Sequence, residues 1–265
     1  HSVDLFAEDP PLALHEREWA AVDVGGPTSL LVEPRQAEVW GSALLLARWL
    51  MQRPDTVRGR HVAELGAGVG LPSLTAALCE AASVVVTDYD AFSVAAAARA
   101  AAHNCALNPA VAALGRVRAE RLDWKDACMP GYRAAWGPVE VLIAADCNYY
   151  ARSSPWLVAA VLAHLAAGGT LLLASRDGRA GLEACLSLLR AQHCLVEVGR
   201  HAFTERDHLW RFERRAERAG GGAEVAGDVA GVAGGVAGLA GGGPGLVNPA
   251  GGAVAPRWLQ LNGSV

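Results

Sequence analysis

The segment VAELGAGVG at 62–70 constrains the fold more than any other part of this sequence. A short apolar run ends in small residues, and Leu71-Pro72 follows, where proline is compatible with the first turn of a helix. Glycine at a strand-to-helix turn lets the backbone pass close to a ligand. Many nucleotide-binding folds have such a turn, but in some proteins it serves tight packing alone. The segment therefore predicts a strand, a turn and a helix without fixing the ligand.

Short apolar runs and helical patterns alternate along most of the chain. Strands are expected at 61–65, 83–88, 116–122, 139–145 and 169–175, and helices at 37–51, 71–81, 91–107, 152–167 and 179–191. The strands lack polar alternation, as parallel strands do when helices cover both faces of their sheet. Two further extended runs, 194–201 and 208–214, are joined by a link too short for a parallel crossover, so they should be antiparallel neighbours. The pattern predicts a doubly wound, Rossmann-like α/β sheet of seven strands with the last strand antiparallel.

Composition divides the chain of 265 residues into three parts. With 52% hydrophobic residues the chain can bury one substantial core, which we place at 17–218. This domain opens at 17–34 with two short strands around a Gly-Gly-Pro turn, which predict an N-terminal β-hairpin. Residues 1–16 form an N-terminal extension, and the Gly/Ala/Val tract 219–265 is expected to be disordered.

Charge and cysteine usage exclude several classes of partner and site. A formal net charge of -4 disfavours binding to a phosphate backbone, which needs a concentrated basic surface. The six cysteines are scattered without a CxxC pair and no HExxH motif is present, so neither a metal site nor a disulfide framework is indicated. No stretch has enough bulky apolar residues for a transmembrane helix. We expect a monomer of the cytoplasm or the nucleus that binds neither nucleic acid nor membrane.

The spacing and charge of the Gly-rich turn indicate which ligand it holds. A dinucleotide fingerprint has the form G-x-G-x-x-G, but after Gly66 and Gly68 the third glycine comes one position early, at Gly70. Glu64 places a carboxylate beside the turn. This charge would repel a diphosphate and attract the ammonium and sulfonium groups of S-adenosyl-L-methionine. The turn therefore predicts S-adenosyl-L-methionine as the cofactor.

Two further strand ends carry side chains that suit the same ligand. Asp88 ends the second core strand, where its carboxylate can accept hydrogen bonds from both ribose hydroxyls or cap the next helix. Trp124 ends the third, where its ring can stack on adenine or fill the core. Ligands of an open parallel sheet lie beyond the carboxyl ends of its strands. The shared position at such ends favours one common pocket.

The fourth core strand ends in AADCNYY and offers a second kind of site. Small Ala145 would leave room for the methionine part of the cofactor, while Asp146 and Tyr149 would flank its sulfonium methyl group. Helix capping by Asp146 and packing by Tyr149 explain the same residues equally well from the sequence alone.

Six motifs in order resemble the seven-β-strand protein-lysine methyltransferases that share a D-x-x-Y motif, of the methyltransferase-like 21 type. They are VWGSALLLARWL, ELGAGVGLPSL, VTDYD, HNCALNP, LDW and AADCNY, which lie between residues 39 and 149, and the resemblance as a whole covers roughly residues 17–214. The resemblance implies that S-adenosyl-L-methionine contacts the residues matching Trp40, Gly66, Ala67, Gly68, Asp88, Trp124 and Ala145. It also implies that Asp146 and Tyr149 lie at the mouth where a lysine of a protein substrate enters.

The reaction implied by the resemblance is an in-line displacement in which a neutral amine attacks the methyl group. We expect Asp146 to orient the amine and Tyr149 to pack against its stem or cation. The same cofactor half also suits a small-molecule amine methyltransferase, or a methyltransferase-like protein that only binds a partner. A nicotinamide-dinucleotide oxidoreductase is disfavoured by the glycine spacing.

Overall fold

A computed structural model of the protein describes residues 19–26, 29–33, 39–107, 115–132 and 136–216. Its strands are β1 Ala20–Val22, β2 Leu30–Val32, β3 His61–Leu65, β4 Ser83–Asp88, β5 Val117–Arg121, β6 Val139–Ala145, β7 Leu165–Arg176, β8 Leu195–Ala202 and β9 Asp207–Arg214. Its helices are α1 Gly41–Gln52, α2 Leu71–Leu78, α3 Ala91–Leu107, α4 Ser154–His164 and α5 Ala180–Arg190. No helix within these ranges is both long and apolar enough to cross a membrane. The expected extension 1–16 and tract 219–265 lie outside the described residues.

The strands β3 to β9 form one sheet in the order β5-β4-β3-β6-β7-β9-β8. The strand β3 pairs in parallel with β4 and β6, and β5 and β7 continue the parallel sheet on either side. The strand β9 pairs antiparallel with both β7 and β8, so it alone runs against the other six. The predicted seven-stranded sheet is confirmed. The strand order reverses between β3 and β6, which is where an open α/β sheet forms its ligand crevice.

Apolar side chains cover both faces of this sheet, because successive residues of a strand point to opposite faces. Val62 of β3 belongs to a core cluster with α1, α2 and α3, whereas its neighbour Ala63 belongs to a cluster with α4 and α5. The central strands are therefore mainly apolar on both faces, with Glu64 of β3 as a buried polar residue. The strand β5 lies at an edge and reads VRAER, and its residues are only partly buried or exposed.

Several expected boundaries are wrong. The helix expected at 37–51 begins at Gly41, the helix expected at 71–81 ends at Leu78, and the junction after α4 is misplaced as well. The helix expected at 152–167 ends at His164, and β7 begins at Leu165. The cause is a pairing that local periodicity does not reveal, since Leu165 lies opposite Val139 before a register shift leads into the main ladder of β6 and β7. Tertiary pairing has overridden the helical pattern here.

The strands β1 and β2 form the expected N-terminal hairpin, which packs on α3. Asn104 of α3 fastens it to the domain. Its side-chain amide donates to the carbonyl groups of Leu31 and Ala100, both at 2.7 Å, and accepts from the Leu31 N–H at 2.9 Å. Because Asn104 is buried, its amide takes the place of a neighbouring strand for the outer edge of β2.

Replacing Asn104 by alanine should release the hairpin from the domain. The docked hairpin would keep a Leu31 N–H and C=O without partners, at a cost of roughly 1–3 kcal/mol. Hydrogen–deuterium exchange should speed up across β1 and β2 and stay unchanged in β3 and β6. The control is Leu107→Ala at the exposed end of α3. Equal exchange in the two variants would contradict this role of Asn104.

Candidate active site

Five loops meet at the carboxyl edge of the sheet beside the crevice between β3 and β6. They follow β3, β4, β5, β6 and β7. The first four carry most of the residues predicted from the sequence, and the fifth adds Arg179, which the sequence analysis does not include. In the part of the chain that the structure describes, no group of three His, Cys, Asp or Glu residues could hold a metal ion.

The loop after β3 depends on glycine. Gly66, Gly68 and Gly70 have φ angles of +64°, +54° and +74°, in the left-handed region that favours glycine. A Cβ on Gly66 would lie 2.6 Å from the Cβ of Cys147 and 3.0 Å from the ring of Trp124. The loop after β3 thus touches the loops after β6 and β5, and only glycine at position 66 allows this approach.

Glu64 lies beneath this loop, where it is buried. Its Oε2 accepts hydrogen bonds from the Ser73 backbone N–H at 3.0 Å and from the Ser73 hydroxyl at 2.5 Å. Ser73 stands in the first turn of α2, so the carboxyl group ties the start of that helix to β3. Burial raises the pKa of Glu64 to about 8, so the group mostly keeps its proton at neutral pH. Direct contact of Glu64 with a cofactor stays a prediction.

Asp88 holds the same loop from the end of β4. Its Oδ2 accepts from the Gly68 N–H at 2.9 Å and its Oδ1 from the Asp90 N–H at 3.0 Å. The cap of α3 is Asp90, whose carboxylate accepts from the backbone N–H of Ser93 at 3.0 Å and from its hydroxyl at 2.9 Å. Burial raises the pKa of the Asp88 carboxyl group as well. Asp88 is therefore a loop anchor and not a helix cap, and ribose binding by it stays a prediction.

Trp124 and Ala145 lie on either side of the glycine loop. Trp124 is half-buried in the turn after β5, and its ring faces Gly66. Ala145 is buried at the end of β6. The register of β3 and β6 pairs Leu65 with Ala144, which places Ala145 level with Gly66. The structure therefore brings together the predicted ends of three strands.

Trp40, Asp146 and Tyr149 surround one guanidinium group, and we name these three residues the cation cage. Arg179 donates to Asp146 from Nη2 to Oδ2 at 2.9 Å and from Nε to Oδ1 at 3.3 Å. Its Cζ lies 5.5 Å from the centre of the Trp40 ring and 5.6 Å from that of Tyr149. Both distances are within cation–π range. The predicted acid and tyrosine thus form one site with Trp40.

Asp146 has a strained backbone. Its φ angle of +47° lies in the left-handed region, which costs energy for a residue other than glycine. Its N–H donates to the Ala174 carbonyl at 2.8 Å, and the Ser175 hydroxyl donates to its Oδ1 at 3.2 Å. The carboxylate is buried and Arg179 balances its charge. Backbone strain of this kind clusters at functional sites.

Asn148 attaches the loop after β6, which carries Asp146 and Tyr149 and which we call the cage loop, to α5. The sequence analysis missed this contact. Its side-chain NH₂ donates to the Ser154 hydroxyl and to the Gly181 carbonyl, both at 2.8 Å. Its Oδ1 accepts from the Ser153 hydroxyl at 2.6 Å. A Cβ on Gly181 would lie 2.1 Å from the carbonyl oxygen of Asn148. The one available signal was a glycine inside a predicted helix, which often marks close packing.

Comparison with known proteins gives the class to which this site belongs. The model of a family described as lysine methyltransferase matches residues 33–190. This span contains the glycine loop, Asp88, the cation cage and Arg179. The chain therefore belongs to the lysine methyltransferase family, and the family predicted from its six motifs is confirmed.

Several curated relatives resemble parts of the chain. Methyltransferase-like protein 22 of Homo sapiens is 40% identical over 149 residues, covering 53% of this chain and 36% of that protein. Protein N-terminal and lysine N-methyltransferase efm7 of Schizosaccharomyces pombe is 51% identical over 51 residues, covering 19% and 20%. Electron transfer flavoprotein beta subunit lysine methyltransferase of Rattus norvegicus is 34% identical over 76 residues, covering 29% and 28%. The chain thus spans no more than 36% of the length of these relatives.

Solved structures share the fold at low sequence identity. A 16S rRNA methyltransferase from Thermus thermophilus, in complex with AdoMet and guanosine, has a TM-score of 0.51 and 20% identity, covering 78% of this chain and 52% of that chain. A putative transferase from Pyrococcus horikoshii has a TM-score of 0.52 and 12% identity, covering 76% and 74%. At these identities the likeness bears on the fold alone.

The raised pKa of Glu64 predicts a pH dependence of stability. The folded protein holds this proton up to about pH 8, whereas the unfolded chain releases it near its usual 4.5. The Glu64 component of the free energy of unfolding should therefore fall as the pH rises through this window, with a slope of at most about 1.4 kcal/mol per pH unit. Urea denaturation should show a weaker fall between pH 6.5 and 8 for Glu64→Gln than for the wild type.

The same pH range distinguishes the effect of Glu64 on stability from that of His164. Burial lowers the pKa of His164 to about 4 from its usual 6.5, so His164 destabilises the fold only as the pH falls below 6.5. An identical pH dependence of wild type and Glu64→Gln would show that Glu64 is ionised in the folded protein.

Replacing Gly181 by alanine should damage the junction between the cage loop and α5. The new Cβ meets the backbone of Asn148, which cannot rotate away, so we expect a loss of about 1–3 kcal/mol of stability. The matched control is Gly137→Ala, because a Cβ on Gly137 would meet nothing within 4 Å. Urea denaturation compares the two variants. Equal stability of the two variants would mean that the cage loop and α5 move apart without loss of free energy.

Proposed function

We propose that the protein is an S-adenosyl-L-methionine-dependent methyltransferase that methylates the side-chain amine of a lysine in a protein substrate. The observation that carries this proposal is the cation cage, in which one carboxylate and two aromatic rings surround a positive group. The same combination recognises a lysine ammonium through charge-assisted hydrogen bonds and cation–π contacts. Membership in the lysine methyltransferase family supports this acceptor.

The chemistry of the crevice fits S-adenosyl-L-methionine better than a dinucleotide. From β3 to the end of α2 the chain has no Lys or Arg that could pair with a diphosphate. The carboxyl groups of Glu64 and Asp88 both have pKa values raised by burial. A nearby cation favours their ionised forms, so a ligand with sulfonium and ammonium groups gains from these carboxyl groups, whereas a diphosphate does not.

Each strand end would serve a different part of this cofactor. Asp88 would accept hydrogen bonds from the ribose hydroxyls, and Trp124 would face the adenine. The other proposed cofactor contacts are Trp40, Glu64, Gly66, Ala67, Gly68 and Ala145. The small residues of this set leave room for the methionine part, and Glu64 lies under the loop that they form.

The chain contributes alignment more than covalent chemistry. Bound S-adenosyl-L-methionine supplies an electrophilic methyl group on a positively charged sulfur. Asp146 accepts a hydrogen bond from the acceptor amine and so orients it, while the Tyr149 ring packs against its stem. Partial burial and the Asp146 carboxylate raise the pKa of the Tyr149 phenol, so its hydroxyl keeps its proton at neutral pH. The bound ammonium group gives up its proton to solvent, which reaches the open cage, and attacks as the neutral amine, so no covalent nucleophile of the chain is required.

A protein substrate suits the exposure of the cage. Trp40 and Tyr149 are each 38% exposed, so the cage opens to the surface and a lysine on another protein can reach it. Pockets for small molecules enclose most of the ligand surface instead.

We place the methyltransferase domain at 17–218 and propose a monomer of the cytoplasm or nucleus. Its net charge of -4 argues against nucleic acid as the partner.

Cofactor and acceptor can be tested separately. Calorimetry should detect binding of S-adenosyl-L-methionine and its demethylated product, and none of NAD. Undetectable binding of the first two to folded protein would remove the enzyme hypothesis. Transfer of a radiolabelled methyl group into a proteome lysate, followed by mass spectrometry, should place the label on lysine. Label on small molecules alone would identify a small-molecule amine methyltransferase instead.

Substitutions in the cage should lower the rate of methyl transfer. Asp146→Asn should lower kcat/KM about 10²-fold, because an amide holds the amine less firmly. Tyr149→Ala should lower it about tenfold through loss of the ring. The control is Tyr150→Ala, because Tyr150 is exposed and its ring faces Arg152 outside the cage. Unchanged activity of both cage variants would remove the cage from the reaction.

A further inference from the structure

One arginine of the chain already occupies the cation cage. Arg179 donates two hydrogen bonds to Asp146, and its guanidinium group faces the rings of Trp40 and Tyr149. The proposed function assigns Asp146 and Tyr149 of the cage to the acceptor amine and places them beside Trp40, a proposed cofactor contact. A second cation cannot use them while Arg179 holds them, because two like charges at this distance repel each other.

We propose that Arg179 is an internal stand-in for the acceptor, which fills the cage in the free protein and leaves it when the acceptor side chain enters. This inference rests on the proposed function, because it takes the cage to be the acceptor site. It makes Arg179 the residue that sets the affinity for the acceptor. It also defines the acceptor as a cationic group, since a neutral group does not replace the charge of Arg179.

The buried charge of Asp146 gives the stand-in a physical role. Asp146 is only 6% exposed, and a carboxylate in such a position is costly without a cationic partner. Ser175 supplies one neutral hydrogen bond to it, at 3.2 Å. Arg179 keeps the carboxylate paired until another cation arrives. The exchange of one cation for another therefore keeps this charge paired while the acceptor binds.

Arg179 lies where its side chain can leave without disturbing the core. It immediately precedes α5 and follows Gly178, whose φ angle is +84°. The side chain of Arg179 is 32% exposed, whereas that of Asp146 is buried. A Cβ on Gly178 would meet nothing within 4 Å, so there is open space beside the loop. Rotation of the arginine side chain is thus enough to open the cage.

Binding of n-butylammonium, an analogue of the lysine side chain, tests this inference. Calorimetry on the whole chain is done with and without the demethylated cofactor, and n-butanol is the uncharged control ligand. Arg179→Gln should bind n-butylammonium about tenfold more tightly than the wild type, because the probe no longer displaces a cation. n-Butanol should bind the two proteins equally. Equal affinity of the two proteins for n-butylammonium would overturn the inference, as would binding to neither.

The matched control is Arg176→Gln. Arg176 also pairs with a buried carboxylate, that of Asp207, at 3.3 Å. That carboxylate also accepts from the hydroxyls of Ser42 at 3.4 Å and Thr204 at 2.8 Å, outside the cage. This variant should bind n-butylammonium as the wild type does. A gain in affinity equal to that of Arg179→Gln would assign the effect to net charge and overturn the stand-in.

Kinetics and an observation on the unaltered protein complete the test. With N-acetyl-lysine methylamide as acceptor, Arg179→Gln should lower KM several-fold and leave kcat nearly unchanged, whereas loss of a merely structural ion pair would lower kcat. In the wild type, the NMR signal of the Arg179 Nε–H should shift when n-butylammonium is added. Binding of the probe without this shift would overturn the inference, even if Arg179→Gln does not fold.

The experiments distinguish failure of the proposed function from failure of the inference about Arg179. If the lysate assay gives no methyl transfer but Arg179→Gln binds n-butylammonium more tightly, the occupancy of the cage by Arg179 holds and the proposed reaction is wrong. If lysine is methylated and the probe binds wild type and Arg179→Gln equally, only the stand-in is overturned.

Discussion

The contact between Gly66 and Cys147 is the constraint on which the rest of the site depends. These residues follow the neighbouring parallel strands β3 and β6, and a Cβ on Gly66 would lie 2.6 Å from that of Cys147. The strand order reverses at this point, so one loop leads to α2 and the other to α4. The glycine loop after β3 and the loop after β6, which carries Asp146 and Tyr149, are therefore held at a fixed separation by the sheet itself.

Three carboxyl groups at this edge avoid an unpaired buried charge in three ways. Glu64 keeps its proton, because burial raises its pKa to about 8. Asp88 accepts hydrogen bonds from two backbone N–H groups, and Asp146 pairs with Arg179. Each arrangement is satisfied in the free protein. In the proposed function, a cationic ligand would favour ionisation of Glu64 and would replace Arg179, so we expect the crevice to favour positively charged ligands although it carries little exposed negative charge.

The fold and the residues in the loops after β3 to β6 could be predicted because their signals are local. Apolar strand runs, the glycine loop, Asp146 and Tyr149 are each contained in a few consecutive residues. Arg179 and Gly181 were missed, because their partners Asp146 and Asn148 are each 33 residues away and no periodicity links them. The end of α4 was misplaced for the same reason, since the pairing partner of Leu165 lies in β6.

The position of β9 has a consequence for the order in which the protein folds. Among the described strands β9 comes last in the sequence, but it lies between β7 and β8. Until it has left the ribosome, β7 has an open edge and β8 has no strand beside it, and pairing such as that of Thr170 with Glu213 is slow because it is non-local. The crevice between β3 and β6 needs neither strand and can form early. Arg179 follows β7, so the cation cage is the last part of the site to be completed by synthesis.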